Sequence, residues 1–435
     1  MLVHWPGTKP SMSIRLLCVS LGLLVAMDNA ALAADPLSLD GAIRQALEHN
    51  RDLAAFRLGP EAAQGRVEQA GLKPNPSLEA GAQTDLLTGN TGARKFDLGL
   101  TQAIPLGNRL HELQSLARVG IPTAAAELAD RQRLIVGEIT QAYVDLLTFD
   151  RQITLRDRLI TTNRQLVKLA RARAKVGEVS TVEVNAAALE LAKLEQERAT
   201  LVAERVNRLQ RVKPVLGLAP EEPLEITGDF DALLQALTVG TEGDKSTWNR
   251  PDLRLAGLAL ERLDAEQRVA QAEVRGDVTV GATYGYERGA TGDAAHLLGV
   301  KMSIPLPLRN KNQGRLRELR AERTRAQREI EALELAVVSE VATARQRATQ
   351  FLKIADDYRV AVLPLGATAE RDLTAAYQQG QVPLFQVIQS QQQRLVLEAG
   401  ALEATSAYAR ALAELQTTTG TNPQLVNAPV PEAQR

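Results

Sequence analysis

Two stretches of the chain, Phe96–Leu106 (FDLGLTQAIPL) and His296–Leu306 (HLLGVKMSIPL), carry nearly the same pattern 200 residues apart. A Leu-Gly pair and a final Ile-Pro-Leu recur at that offset. The period is far longer than the 20–50 residues of solenoid repeats. The sequence therefore predicts a duplicated half-molecule, in which each copy has a leading helix, a β-hairpin, a very long helix, a turn and a returning helix.

The two repeats are expected at residues 34–216 and 250–420. A linker rich in glycine and proline, 217–249, joins them, with a short helix near Phe230–Leu237. Residues 421–435 are expected to form a disordered tail. The predicted fold class is thus mainly α with a small β part.

The long helices are predicted from coiled-coil periodicity. Apolar and small residues recur at alternating steps of three and four from Leu316 to Leu365, apart from a charged gap at Arg323 and a stutter at Val337–Val341 that indicates local unwinding. A helix from about Arg309 to Gln379 would be on the order of 100 Å long. Its counterpart is expected from about Arg109 to Lys175. Pro364 should kink or interrupt the second helix, because it lacks an amide donor and clashes with the preceding turn.

Each repeat also contains two short segments in which apolar and polar residues alternate, the signature of β-strands. They are expected at about 77–86 and 95–104, and at about 277–287 and 296–304. Alternation over about ten residues fits a tilted transmembrane strand with a polar face toward a lumen. A half-buried soluble sheet gives the same alternation, but two matched hairpins in an exported chain favour the membrane.

This interpretation assigns the strand residues to two faces. Four residues are expected to face a lumen: Glu79, Asp97, Thr279 and Lys301. Six are expected to face lipid: Leu78, Ala80, Val280, Ala282, Val300 and Met302. Four strands cannot close a barrel, and the smallest such barrels have eight strands, so the barrel must be shared between subunits.

The N-terminus has the features of an export signal. Arg15 precedes an apolar run, Leu16–Met27, and a small-x-small site ends at Ala33. We expect residues 1–33 to be a signal peptide cleaved between Ala33 and Ala34; the start at Met1 or at Met12 is left open. The apolar run of about 12 residues is shorter than the about 20 that a membrane span needs.

Composition argues against several classes of function. The chain has 51 basic and 52 acidic residues, without the basic excess of a nucleic-acid binder. Its one cysteine, Cys18, lies inside the expected signal peptide, so no thiol chemistry is expected in the mature chain. No catalytic, phosphate-binding or metal-binding motif is present. We expect neither an enzyme nor a bound cofactor or metal.

Two glycine turns end the long helices. Gly177 lies in Lys175–Ser180 (KVGEVS), and Gly380 lies in Gln379–Pro383 (QGQVP). A glycine that ends a helix, followed by Ser or Pro at the start of the next one, is typical of a helical hairpin. Each repeat is therefore expected to have a strand hairpin at one end and a helical tip about 100 Å away.

The whole mature chain resembles the TolC family of outer-membrane efflux ducts. The resemblance rests on the opening stretch Leu37–Ile43, on Pro74-Asn75-Pro76, on Gln102–Gly107 and on the two tip glycines. Within the family, Asn75-Pro76 and Pro105–Arg109 are most like the heavy-metal branch, the CzcC/CusC type. The resemblance implies a homotrimer with a twelve-stranded transmembrane barrel in outer-membrane lipid, continued by a helical barrel across the periplasm. It also implies two partners, a periplasmic adaptor (membrane fusion) protein and an inner-membrane pump of the RND type.

The resemblance further implies that the tips border a periplasmic aperture. The residues concerned are Gly177, Glu178, Glu183, Gly380, Gln381, Gln386 and Gln389. Multidrug and protein-export ducts often carry aspartates where this chain has Gln386 and Gln389, so an acidic ring would come from Glu178 and Glu183 instead. The glutamines are equally explained as solvated helix positions. The substrate is expected to be heavy-metal cations; multidrug efflux, type I protein secretion and a non-membrane periplasmic coiled-coil scaffold are the alternatives.

Overall fold

The computed structural model describes residues 36–84, 93–239, 250–289 and 292–420. The expected signal peptide with its Ala33–Ala34 cleavage site lies outside the described residues, as does the tail 421–435. The same holds for most of the first hairpin loop, for two residues of the second, and for the end of the linker at 240–249.

The chain is mainly helical, with one small antiparallel sheet. The strands are β1 (Ser77–Thr84), β2 (Arg94–Pro105), β3 (Asp277–Arg288) and β4 (Ala294–Ser303). The helices are α1 (Leu39–His49), α2 (Arg51–Arg57), α3 (Gly59–Gly71), α4 (Arg109–Lys175), α5 (Thr181–Val212), α6 (Phe230–Val239), α7 (Pro251–Glu273), α8 (Gln313–Asp357), α9 (Leu363–Gln378) and α10 (Leu384–Thr419). Among these helices none is both long enough and apolar enough to cross a membrane.

The sheet has the strand order β1-β2-β3-β4, with every neighbouring pair antiparallel. The central β2–β3 pair joins the hairpins of the two repeats, with Leu98 opposite Tyr284 and Leu100 opposite Ala282. An ion pair of 2.7 Å between Arg109 at the start of α4 and Asp277 at the start of β3 links the repeats again below the sheet. The two hairpins therefore form one continuous surface.

The leading helix of the first repeat is broken into α1, α2 and α3, where the sequence pattern predicts a single helix. Asn50 causes the first break, because its side chain accepts hydrogen bonds from the Asp52 and Leu53 amides and caps α2. The same side chain donates to the Val215 carbonyl at 2.8 Å, which fixes the break to the chain beyond α5. Pro60 stands in the first turn of α3, where its missing amide costs nothing.

The first long helix, α4, has 67 residues and is about 100 Å long. Pro122 lies inside it without ending it. Near the sheet α4 packs on α3 and α7, and farther away it packs on α5 and α10. This one helix therefore contacts elements of both repeats along its whole length.

The second long helix is interrupted at the predicted place. A five-residue π-helical turn, Tyr358–Val362, separates α8 from α9, and Pro364 stands in the first turn of α9. A widened turn relieves the clash between a proline ring and the preceding carbonyls, and it leaves fewer amides without partners. Val337 and Val341, the residues of the stutter, are buried against neighbouring helices.

The linker contains the expected short helix, α6. Phe230, Leu233 and Leu237 are buried on a cluster formed by α4, α8 and α10, which includes Tyr143 and Tyr408. A parallel bridge between Leu37 and Ile226 ties the start of the described chain to the same region. The linker thus packs across the middle of the long helices and connects both repeats there.

Two buried arginines fasten the end of α10. Arg133 donates to the Thr417 carbonyl at 2.8 Å, and Arg250 donates to the Thr418 carbonyl at 3.0 Å. Arg250 also pairs with Asp252 at 2.6 Å while its side chain is only 5% exposed. Cations at a helix C-terminus satisfy carbonyls that have no amide partner and oppose the negative end of the helix dipole.

We predict that Arg250→Met destabilises the fold. The substitution leaves Asp252 and a helix-end carbonyl without their donor in a buried setting, which should lower the free energy of unfolding by about 3 kcal/mol. Arg254→Met is the matched control, since Arg254 is exposed on the same helix and should stay within about 0.5 kcal/mol of wild type. Chemical denaturation followed by circular dichroism measures both. Equal losses in the two variants would contradict the assignment.

Asp252 makes this effect depend on pH. Burial raises the pKa of its carboxyl, but the hydrogen bonds and charge of Arg250, with the charge of Arg133, outweigh burial and hold the pKa below the ordinary 3.8. A group with a lowered folded-state pKa contributes stability above its unfolded-state pKa and loses it as the pH falls through the folded-state value. The difference between wild type and Arg250→Met should therefore shrink below about pH 4.

Candidate functional site

The sheet has two faces of opposite character. Residues directly opposite each other in an antiparallel ladder lie on the same face. Leu78 pairs with Leu100, Leu100 with Ala282, and Ala282 with Val300. The register therefore gathers the six residues expected to face lipid on one apolar face: Leu78, Ala80, Val280, Ala282, Val300 and Met302.

This apolar face is uncovered. Leu78 is 69% exposed and Val300 is 86% exposed, although both are large aliphatic side chains. Contiguous exposed apolar surface of this kind marks a site of contact with another protein or with a membrane.

The opposite face is polar and rich in glycine. Glu79, Asp97, Thr279 and Lys301, expected to face a lumen, all lie on it by the alternation of the ladder. Side chains stand opposite glycines: Glu79 pairs with Gly99, and Asp97 pairs with both Gly81 and Gly285. A Cβ at Gly81 would lie 2.2 Å from Asp97 Oδ2, so the polar side chains occupy the space that the glycines leave.

The two helical tips have the same hydrogen-bonded motif. At the first tip, Gly177 N–H donates to the Ala174 carbonyl and Glu178 N–H to the Arg173 carbonyl, at 3.1 and 3.0 Å. The second tip repeats it, with Gly380 N–H on Tyr377 and Gln381 N–H on Ala376, at 3.0 and 2.9 Å. These are the two bonds of a Schellman motif, and the glycines have φ of +77° and +76°.

Packing brings the two tips together. A buried cluster joins Val167 and Ala170 of α4 with Tyr377 of α9 and with Leu384 and Val387 of α10. The guanidinium carbon of Arg173 lies 4.9 Å from the ring centroid of Tyr377, a cation–π distance. Both hairpins therefore end at the same place, far from the sheet.

The polar residues expected at the tips all lie in this region. Gln381, Gln386 and Gln389 are exposed. Glu178 is exposed too, with its carboxylate 3.9 Å from Arg173, and Glu183 is half-buried in the first turn of α5. The Glu183 amide is capped by Ser180 Oγ at 3.2 Å, so the start of α5 is fixed as the sequence suggests.

The structure adds buried polar residues that the sequence analysis missed. Glu190 is buried between the hairpins and accepts a hydrogen bond from Gln392 at 2.6 Å. Gln391 is also buried, and its Oε1 has no partner within the described residues. The periodicity gave one signal for Glu190, because Ala187, Glu190 and Leu194 follow the spacing of an inward-facing helix surface.

Among the described residues, no group of three or more His, Cys, Asp or Glu side chains could hold a metal ion.

The known proteins that this chain resembles are outer-membrane efflux and metal-resistance proteins. Residues 42–218 match the family described as outer membrane efflux protein. The cobalt-zinc-cadmium resistance protein CzcC of Cupriavidus metallidurans is 24% identical over 359 residues, which cover 82% of this chain and 84% of the relative. The nickel-cobalt-cadmium resistance protein NccC of Alcaligenes xylosoxydans xylosoxydans is 24% identical over 304 residues, 68% of this chain and 67% of the relative.

A solved structure of CusC, described with conformational changes that accompany folding and transmembrane channel formation, has the same fold. Its TM-score is 0.71 at 17% identity, over 88% of this chain and 91% of that one. The fold is thus that of the outer-membrane channels. At residues 42–218 the chain matches the outer membrane efflux protein family.

We predict that the tip glycines are required for their backbone conformation and not for space. A Cβ at Gly177 or Gly380 would meet no atom within 4 Å, but alanine at positive φ should cost about 1 kcal/mol at each tip. Gly65→Ala is the control, since Gly65 is exposed inside α3 with equally open surroundings and should gain up to about 1 kcal/mol. Hydrogen exchange of the tip amides should become faster in Gly177→Ala and Gly380→Ala. Unchanged exchange at the tips would contradict the Schellman assignment.

Proposed function

We propose that this chain is the outer-membrane channel of a tripartite efflux system. In this role it is a passive duct, not an enzyme, and it receives substrates from a periplasmic adaptor protein and an inner-membrane pump of the RND type. The carrying observation is the four-stranded sheet with one apolar and one polar face, continued by a helix of about 100 Å. Such a molecule can contact lipid outside, enclose water inside, and extend away from the membrane.

The open edges of the sheet support a ring of identical subunits. β1 and β4 each have a partner on one side only within the described residues. Unpaired backbone groups are not tolerated in lipid, so strands of other copies must pair with both edges. A head-to-tail contact of β4 with β1 closes into a ring when the rotation permits it. Members of the family form trimers, and three copies give twelve strands.

The helical part has uncovered edges, as the sheet does. α5 packs mainly on α4, and α8 packs on α7 and α10, which leaves one flank of each helix uncovered. Each of these two helices also has large apolar side chains that are exposed. They are Val182, Leu189 and Val206 on α5, and Leu335, Val338 and Leu352 on α8. Burial of these side chains against a second copy would continue the closed ring from the sheet into a helical barrel.

In this assembly the apolar face would contact outer-membrane lipid and the polar face would line the lumen. The apolar face presents Leu78, Ala80 and Ala82 on β1, while the polar face presents Glu79 and Asp97 beside glycines. Alternation of apolar-out and polar-in residues is the pattern of transmembrane strands.

Heavy-metal cations are the proposed substrates. The two curated relatives are named as cobalt-zinc-cadmium and nickel-cobalt-cadmium resistance proteins, and each aligns with two thirds or more of this chain. Because no cluster of metal-ligating side chains lies among the described residues, the ions would pass without being held, and the pump would select them.

We also propose that the tips form the periplasmic mouth and that Glu178 and Glu183 make it attractive to cations. Residues Gly177, Gly380, Gln381, Gln386 and Gln389 would border the same mouth. In a trimer the two carboxylates would be repeated three times around the opening. Clustered acidic groups raise the local cation concentration over about 10 Å at 0.1 M salt.

Loss and restoration of the chain test the function. Cells without it should become sensitive to cobalt, nickel and cadmium, and wild type should restore tolerance. Val280→Arg should fail to restore it, because arginine on the lipid face near the midplane costs about 2–4 kcal/mol and opposes insertion. Thr279→Arg, one residue away on the polar face, should still give trimers in the outer membrane.

Several results would contradict parts of this proposal. Detergent-extracted protein with the mass of a monomer or dimer in light scattering would rule out the trimer. Equal assembly of Val280→Arg and Thr279→Arg would reverse or remove the assignment of faces. Unchanged metal tolerance with new sensitivity to dyes and detergents would assign multidrug efflux instead. Loss of a secreted protein would assign type I secretion, and full solubility without detergent would assign a periplasmic scaffold.

The acidic mouth is tested by Glu178→Gln with Glu183→Gln. The double variant should assemble normally and should show weaker cation preference in planar bilayers, with the difference largest at low salt. Glu329→Gln with Glu331→Gln is the control. Both glutamates are exposed on the half of α8 nearer the sheet, and the double substitution removes the same charge as the tip variant. Unchanged selectivity in the tip variant would remove the acidic mouth and leave the channel assignment intact.

A further inference from the structure

The outer end of the apolar sheet face carries two arginines opposite each other. Arg94 begins β2 and Arg288 ends β3, and they are partners in the ladder. Thr84 of β1 stands opposite Arg94 on the other side. These residues lie at the hairpin-loop end of the sheet, the end away from the helices. We call Thr84, Arg94 and Arg288 the basic rung.

Among the described residues, no acidic side chain pairs with the arginines of the basic rung. Along the whole described apolar face, from Leu78 on β1 to Met302 on β4, no residue is Asp or Glu. Neither arginine has an ion pair within the described residues. The next pair in the ladder, on the opposite face, has opposite charges, because Lys95 stands opposite Glu287. Like charges directly opposite each other destabilise a sheet, so a bound anion would stabilise the arginine pair, and none of the described side chains supplies one.

An open groove lies beside the basic rung. Its volume is about 450 Å³, and its lining on the apolar face consists of Ala82, Thr84, Arg94, Phe96 and Tyr286. The groove therefore has a cationic outer end and an aromatic wall.

The aromatic wall continues as an ordered cluster on the next strand. The Tyr284 hydroxyl lies 2.6 Å from His296 Nδ1, and the rings of Tyr286 and His296 are 5.3 Å apart. Rings with an apolar body and a polar edge are enriched where lipid meets water, and they flank the apolar band of outer-membrane barrels. Below them the apolar residues extend to Val278, eight residues before Tyr286, or roughly 27 Å along the strand.

We propose that the basic rung and this groove form a binding site for the phosphate of a membrane lipid headgroup. The phosphate would sit between the Arg94 and Arg288 guanidinium groups, since the planar fork of arginine binds phosphate oxygens in pairs. The apolar chain of the lipid would lie along Phe96 and Tyr286 toward the leucines and valines of the same face. A lipid satisfies both ends of the groove at once, whereas free phosphate satisfies only the cationic end. The site rests on the proposed embedding of this face in the membrane.

The first experiment compares ligands on the unmodified trimer. Native mass spectrometry counts lipids bound to detergent-purified protein after addition of diphosphoryl lipid A, of the same lipid with its phosphates removed, or of inorganic phosphate. Up to one tightly bound phosphorylated lipid per subunit is expected, and weaker binding of the dephosphorylated form. Equal binding of the two lipids overturns the proposal. Displacement of the lipid by inorganic phosphate at comparable concentration would identify a free-phosphate site and overturn the lipid assignment.

The second experiment compares variants. Arg94→Gln with Arg288→Gln should weaken binding of the phosphorylated lipid by about tenfold or more. Lys301→Gln with Lys311→Gln is the control, because it removes the same two charges from positions that do not line the groove. Lipid binding that is unchanged in the arginine variant, or reduced equally in the control, overturns the site. Trimer mass and restored metal tolerance are measured alongside, so that failure of the channel proposal itself is recognised separately.

Discussion

Backbone N–H and C=O groups along the outer edges of β1 and β4 have no strand beside them within the described residues. In hydrocarbon each unpaired group costs several kcal/mol, because no water replaces the missing partner. One chain cannot remove this cost, since its four strands are too few to close. In the proposed channel, the subunit contacts and the lumen depend on satisfying these edges with other copies.

The helical part is held by apolar seams more than by its charges. α4 and α5 are linked by a row of ion pairs, such as Arg156–Glu197 and Arg198–Asp157, but their side chains are partly exposed, and exposed ion pairs add little to stability. The buried seams at Val337 and Val341, and the cluster under Tyr377, stabilise the helices more strongly, because they remove apolar surface from water. The tips lie at the far end of both hairpins, where two Schellman turns and one small cluster hold them. Such an end is suited to local opening without loss of the long seams.

The surfaces that carry the proposed function do not depend on reactive side chains. The polar sheet face needs only water-compatible side chains and space, which the alternation of Glu79 and Asp97 with Gly99 and Gly81 provides. The apolar face needs only uncharged side chains along the part that would contact lipid, and side chains with polar groups at its outer end. The channel is therefore defined by which residues share a face, and not by a cluster of reactive groups.

The sequence by itself determined the duplicated order of elements, the two faces of each strand, the tip glycines and the interruption at Pro364, because each is a local pattern of periodicity or backbone preference. Tertiary structure alone decided which distant residues meet. The β2–β3 register pairs Arg94 with Arg288, α4 packing sets Arg173 over Tyr377, and Arg250 reaches the end of α10. The Asn50 break likewise depends on Val215, far along the chain. Contacts of this kind depend on register and on the packing of several helices, which no local pattern encodes.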